Sequence, residues 1–296
     1  MIFEKIPFNI HCWGGFGSQL FALALAFDIE KQFPKKNIRL LFHTSGVTKR
    51  DLELSFIPAR FTVIVVHDFT TILGNEVRNT KALLNQIKKF IKAIAYFLHF
   101  SESLNNDIEF KRLKPWTIDI RGHYSTRFIS RNSISEILNV FNTSALPNIE
   151  SRRNRSEVAI HYRLGDLLTQ GIKSYVPAKN IKNLIDQSTV LQKVKEIDVY
   201  SDSSKQAVEF LSQKICTVKF IEKPNKSFET LQSLLSYKTF VGTNSKISIW
   251  AVLLRVNFNL ETLNYMPYQI KDNLEFNIVD PGLRKRIDFF GDIFYE

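Results

Sequence analysis

Cysteine is almost missing from this sequence: Cys12 and Cys216 are the only two in 296 residues. Two thiols exclude a disulfide framework and give no metal-binding cluster, so both are expected to be reduced and structural. Long apolar runs are missing as well, and no uncharged stretch approaches the ~20 residues of a membrane span. The start, Met1-Ile2-Phe3-Glu4-Lys5-Ile6-Pro7, lacks the basic opening and apolar core of a secretory signal. The expectation is a cytoplasmic protein, with peripheral contact at the inner membrane face left open. Acidic residues are in deficit, 29 Asp+Glu against 40 Lys+Arg, for a net charge of +11. The surplus favours an anionic partner: nucleic acid, a phosphorylated small molecule or an acidic membrane surface. The charge is spread along the chain, and no zinc-finger spacing or RNA-binding signature is present, so nucleic acid is not expected.

What is present is apolar sequence sufficient for two cores, with hydrophobic residues making up 44% of the chain. The most informative stretch is Val158-Ala159-Ile160-His161-Tyr162-Arg163-Leu164-Gly165-Asp166, an apolar segment ending in a basic, glycine-containing, acidic turn. It reads as a buried strand delivering charge to its carboxyl edge, the place where open α/β sheets bind ligands. Arg163 suits a phosphate, because its planar fork makes two parallel charge-assisted hydrogen bonds. An ion pair between Arg163 and Asp166 that only pins the loop is the plainer alternative.

Earlier in the chain, Phe8 to Cys12 reads as a strand. It runs through Trp13-Gly14-Gly15-Phe16-Gly17-Ser18-Gln19 into a helix carrying Leu20, Leu23, Ala24 and Phe27. Such a loop lets backbone approach a ligand, and the helix start attracts anions, although it can equally serve tight strand-to-helix packing. The spacing is not G-x-G-x-x-G, which argues against a nicotinamide site. Ile38–His43 and Phe61–Val66 read as strands. From about Thr80 to Phe100 an amphipathic helix gathers Leu83, Leu84, Ile87, Phe90, Ile91, Ile94 and Leu98 on one face, with Lys88, Lys89 and Lys92 elsewhere. Helices of this kind ordinarily bury the apolar face in their own domain, and a basic one can instead lie on an anionic membrane. Thr117 to Ser125 is a strand ending in a turn with His123 and Tyr124, and a helix follows from about Phe128 to Phe141. Periodicity then lapses from Leu146 to Ser156, which reads as a linker between domains 1–150 and 151–296.

The second half alternates strand and helix. Strands near Ile197–Tyr200, Val218–Ile221 and Thr239–Gly242 imply a parallel sheet covered by helices. Thr243-Asn244-Ser245 precedes a helix from Ile247 to Arg255, where the side chains can cap the helix or face an anion. The tail from Arg284, basic and then aromatic, is expected to pack back on a domain, the N-terminal one included.

Together these turns resemble the bacterial alpha-1,2-fucosyltransferases and the wider group of GDP-fucose-using glycosyltransferases. Gly14-Gly15-Phe16-Gly17-Ser18-Gln19-Leu20-Phe21 is similar to that family's G-G-L-G-N-Q-L/M-F, and Gly122-His123-Tyr124-Ser125 stands where it has G-Y-F-Q-S. His161-Tyr162-Arg163-Leu164-Gly165-Asp166 resembles H-x-R-R-G-D, and Tyr200-Ser201-Asp202 resembles F-S-D. Asn244-Ser245-Lys246-Ile247-Ser248-Ile249-Trp250-Ala251 is similar to N-S-S-F-S-W-W-A. The resemblance implies an α/β chain of GT-B type, two Rossmann-like domains facing each other across a cleft, with nucleotide-sugar held mainly by the C-terminal domain. It implies an inverting, metal-independent glycosyltransferase without a cofactor, moving L-fucose from GDP-fucose to a hydroxyl of a glycan or lipid-linked oligosaccharide acceptor in surface polysaccharide or lipopolysaccharide synthesis. Catalytic candidates are then Arg163, His161 and Asp166. Donor contacts fall on Gly15, Gly17, Ser18, Gln19, Arg163, Asp202, Asn244, Ser245 and Ser248, and acceptor contacts on His123 and Tyr124. The chain departs from the pattern at Leu164, Ser18 and Ile249, which replace the second arginine, the loop asparagine and the first tryptophan. Either the donor phosphates are held differently or the donor is another nucleotide-sugar. A non-catalytic sugar- or nucleotide-binding protein is the alternative of a different class.

Overall fold

The architecture is that of a computed structural model, described over residues 6–44, 51–54, 57–66, 82–104, 110–122, 124–143, 157–168, 175–223, 226–258, 261–268 and 281–291. The chain divides into two units, Met1–Val140 and Phe141–Glu296. The residues read as a linker, 146–156, lie outside the described residues.

In unit 1 the first strand, β1 (Phe8–Trp13), runs into α1 (Phe16–Gln32) and β2 (Ile38–His43), followed by β3 (Thr62–Val66). Next come α2 (Ala82–Phe97), β4 (Ser101–Ser103), β5 (Asp119–Arg121) and α3 (Arg131–Thr143), whose last residues, from Phe141, belong to unit 2. The strands form one sheet in the order β3-β2-β1-β5-β4, with every pairing parallel. α1 is apolar nearly all round and buries twelve of its seventeen residues, as a helix covered on both sides must. One face of the sheet sends Ile10, Cys12, Leu40, Phe42 and Ile120 into the core. Alternation along the same strands sends Asn9, His11 and Trp13 to the opposite face, where the register sets Trp13 beside His43.

Unit 2 contains β6 (Val158–His161), α4 (Ala178–Gln187), β7 (Glu196–Tyr200), α5 (Ser204–Lys214), β8 (Lys219–Lys223) and α6 (Ser227–Leu234). It continues with β9 (Thr239–Val241), α7 (Lys246–Phe258), β10 (Leu263–Pro267), α8 (Pro281–Arg284) and β11 (Asp288–Phe290). Its parallel sheet has the order β8-β7-β6-β9-β10-β11. Numbered from the unit's own first strand this is 3-2-1-4-5-6, the doubly wound order in which the chain reverses direction beside the first strand. β6 is buried at all four positions, as a central parallel strand flanked by helices should be. The tail from Arg284 supplies β11, the edge strand of unit 2's own sheet.

α7 is buried from Ile249 through Val256, including Arg255. That guanidinium bonds Asn264 Oδ1 at 2.6 Å and the carbonyls of Leu234 and Tyr237 at 2.7 Å each. Burial lowers its pKa to about 9. α2 departs from expectation over its described side chains: Phe90, Ile91, Ile94 and Phe97 on its apolar face, and Leu98 just after it, are all exposed. No described helix is long and apolar enough to cross a membrane.

Candidate functional site

In unit 2 the sheet reverses between β6 and β9, and three separate stretches of sequence meet at the carboxyl ends of these strands and of β7. His161 closes β6 and is buried, with Nδ1 2.7 Å from Ser248 Oγ at the start of α7. Ser248 Oγ already accepts the Thr243 N–H at 3.2 Å, so its own proton can go to His161 Nδ1, which leaves the ring proton on Nε2. Burial first, and then the Arg163 charge, lower the His161 pKa to about 3, so the ring stays neutral. The Arg163 N–H donates to Thr243 Oγ1 at 2.9 Å, and the Thr243 hydroxyl donates to the His161 carbonyl at 2.8 Å.

The Arg163 side chain is held between two carboxylates. Its Nη2 bonds Asp166 Oδ1 at 2.5 Å and its Nε lies 3.0 Å from Asp202 Oδ2. Asp202 Oδ1 accepts the Leu164 N–H at 3.1 Å, so one carboxylate fixes both the turn and the guanidinium. This close approach requires glycine at 165: φ there is +24°, and a Cβ would lie 2.0 Å from Asp202 Oδ2. Arg163 remains 25% exposed, and its partner Asp166 47%. A guanidinium has five N–H bonds, so the two ion pairs leave donors for a further anion. Ser245 Oγ accepts the Ile247 N–H at 3.2 Å, which caps α7, and Asn244 is half-buried beside it.

The remaining sequence candidates lie in unit 1. Gly15 precedes the first residue of α1 and accepts the Ser18 and Gln19 amides at 2.9 and 3.2 Å, with Gly17 in the first turn. Gln19 is buried and spent on backbone: Nε2 donates to Asp51 O at 2.8 Å, and Oε1 accepts the Glu53 N–H at 3.0 Å. That is the packing alternative for this loop, with the side chain pinning the 51–53 segment. Tyr124 likewise bridges strands, its buried hydroxyl lying 2.5 Å from the His11 carbonyl and 2.8 Å from that of Ile120. His123 lies outside the described residues.

A constellation that sequence reasoning missed occupies the polar face of the same sheet. Asp119 Oδ1 accepts Asn9 Nδ2 at 3.0 Å and lies 3.3 Å from His11 Nε2, while His11 Nδ1 is 2.9 Å from His43 Nε2. Burial alone would raise the Asp119 pKa, but the hydrogen bonds from His11 and Asn9 outweigh it and hold the group ionised. An ionised carboxylate can only accept, so His11 Nε2–H donates to Asp119. Trp13 stacks on His43 with ring centroids 4.3 Å apart. Burial, then the charges of His11 and Arg121, lower the His43 pKa to about 4. No spacing motif could reveal this set, because strand register alone brings His11, His43 and Asp119 together.

No protein-family model matches the chain, and no curated protein matches it. Among solved structures it is similar to E. coli heptosyltransferase WaaC with ADP-2-deoxy-2-fluoro heptose, at 12% identity and TM-score 0.41, covering 96% of this chain and 92% of that one. It is similar to POFUT1 in complex with GDP, at 13% identity and TM-score 0.41, over 97% and 99% of the two chains. A third likeness is the glycosyl transferase family 9 protein from Veillonella parvula, at 10% identity and TM-score 0.43, over 89% and 81%. Overlap at this level fixes no residue-to-residue correspondence, and the functional residues stand on their own geometry.

A cavity of about 430 Å³ in unit 1 lies apart from these groups, lined by Asp28, Lys31, Phe110, Arg127 and neighbours. Its central charges are consumed internally: Asp28 pairs with Arg127 and accepts Ser130 and Ser133 hydroxyls at 2.6 and 2.5 Å. The two clusters differ in chemistry. Unit 2 presents a held, partly exposed cation beside a capped helix start, which suits a phosphate. Unit 1 presents, on the polar face of its sheet, a histidine pair backed by an ionised carboxylate.

Proposed function

We propose that the chain is a glycosyltransferase that takes a nucleotide-sugar, GDP-fucose first among the candidates, and transfers the sugar with inversion to a glycan hydroxyl. The acceptor is read as a lipid-linked or surface oligosaccharide, met at the cytoplasmic membrane face. One observation carries the reading: the segments 161–166, 200–202 and 243–248, which separately resemble family motifs, are hydrogen-bonded to one another at the reversal point of a doubly wound sheet. In this reading Arg163 holds the donor diphosphate. As the bond from the anomeric carbon to the phosphate oxygen breaks, negative charge grows on the leaving group, and a cation already in place lowers the barrier. His161, neutral and tethered by Ser248, positions the Arg163 turn. The acceptor hydroxyl gives up its proton to a general base as its oxygen bonds the anomeric carbon, and the nucleoside diphosphate leaves with the electron pair of the broken bond.

The test joins binding to turnover. Thermal shift of the whole chain should show GDP or GDP-fucose raising the midpoint more than UDP does, since a ligand of the native state stabilises it. Arg163→Ala should remain folded, lose the nucleotide-induced shift and cost on the order of 10²-fold in turnover, the usual scale for removing a transition-state charge stabiliser. Arg163→Lys keeps the charge without the fork and should fall between. Normal turnover in Arg163→Ala, or its unfolding, would reduce Arg163 to the structural partner of Asp166 and Asp202. A preference for UDP would change the donor. Binding with neither transfer nor slow donor hydrolysis would make the chain a nucleotide-sugar-binding protein.

A further inference from the structure

The outer face of α2 is apolar where a soluble helix should be polar. Phe97 is 82% exposed and Phe90 67%, and Ile91, Ile94 and Leu98 are exposed on the same side, at the helical spacing that makes one continuous stripe. The residues turned toward the domain are Ala95, Tyr96 and His99, all half-buried. The segment that follows the helix is tied to the sheet. It is bonded through Phe100, whose carbonyl accepts the Ile118 N–H at 2.8 Å, and through β4, which pairs with β5. Exposed Trp116 is fastened alongside, its Nε1–H donating to the Leu98 carbonyl at 3.1 Å. Two cations, Lys111 and Arg112, are exposed in the segment leading to Trp116.

We infer that this face docks the protein on an anionic lipid bilayer, with Phe90, Ile91, Ile94, Phe97 and Leu98 entering the interface and the flanking cations meeting lipid phosphates. Amphipathic helices lie in the interface plane with apolar side chains down, aromatic rings settle at headgroup depth, and adjacent Lys and Arg are drawn to anionic lipid. Charge separates this occupant from a second copy of the chain. Every copy carries a net +11, so a two-fold contact through the stripe brings together two molecules of the same strong charge, whereas an anionic bilayer attracts it. The inference deepens the proposed function, since a membrane-docked enzyme meets a lipid-linked acceptor without searching for it. Docking requires neither donor nor transfer, so the two fail separately.

The experiment is co-sedimentation of the whole chain, without nucleotide, with phosphatidylglycerol-containing vesicles and with phosphatidylcholine vesicles, at low and high salt. Binding is expected to the anionic vesicles, to be released by salt and to shift Trp116 fluorescence to the blue. Phe97→Asp should lower it about tenfold or more, roughly the worth of burying one phenylalanine side chain, while its thermal midpoint stays at the wild-type value because the side chain packs against little. Phe97→Leu should retain most of the binding. Equal recovery with both vesicle types overturns the inference, as does a Phe97→Asp protein that sediments like wild type. A wild-type dimer in solution that Phe97→Asp splits, with no vesicle binding, would assign the face to a second copy.

Discussion

His161 and His43 are both held neutral by burial, and this makes acid the condition that exposes them. Each folded-state pKa lies below the ordinary value of 6.5, at about 3 for His161 and about 4 for His43. Unfolding therefore takes up protons at any pH between these values and 6.5. Stability is complete above 6.5 and falls as pH drops below it, until the folded-state values are reached. From pH 7 to pH 5 the loss from fully buried His161 should be about 2 kcal/mol, with His43 adding in the same direction. Urea unfolding at the two pH values measures this, and His161→Gln should flatten the slope. A slope unchanged by the substitution would mean that His161 is not the buried titrating group. At this scale the sequence was half legible. Arg163 and Asp166 could be picked out because they follow an apolar strand. His11, His43 and Asp119 could not, because pairs 32 and 108 residues apart are joined only by the register of three strands.

Elements with a strong apolar run were legible close to their bounds. Ile38–His43 is a strand as expected, and the helices after the two turns begin where the glycine loop and the Asn244-Ser245 cap place them. Short strands were not. Ser101-Glu102-Ser103 has no alternation to read and is a strand only because β5 offers an edge to pair with. α2 was recognised as a helix while its orientation was not, for periodicity reports which residues share a face and not what lies opposite. α7 carries a prediction of its own. Arg255→Met replaces a buried guanidinium by an apolar chain of similar length and leaves the Leu234 and Tyr237 carbonyls and Asn264 without their donor. The cost should be about 3 kcal/mol or more, since each buried polar group left unpaired costs roughly 1–3 kcal/mol. Denaturant melts would register it. A loss under about 1 kcal/mol would mean that the carbonyls find other partners, as buried groups replaced together sometimes do.

At the scale of the molecule, strand–helix alternation in the second half foretold a parallel sheet, and both sheets are wholly parallel. The strand order was beyond the sequence, because the direction in which a crossover turns is settled by packing and not by any local residue pattern. That order has a consequence during synthesis. β6 lies at the middle of its sheet, yet its neighbours β7 and β9 begin at Glu196 and Thr239. A ribosome that has just released β6 has therefore made Arg163 and neither partner strand, so the central strand waits with both edges bare while the later strands are translated. The assembly around Arg163 closes only when Ser248 has left the exit tunnel. A nascent chain stalled before Thr239 would carry an unpaired edge on a strand meant for the core, the form most prone to pair with the wrong strand and the one a chaperone would be expected to hold.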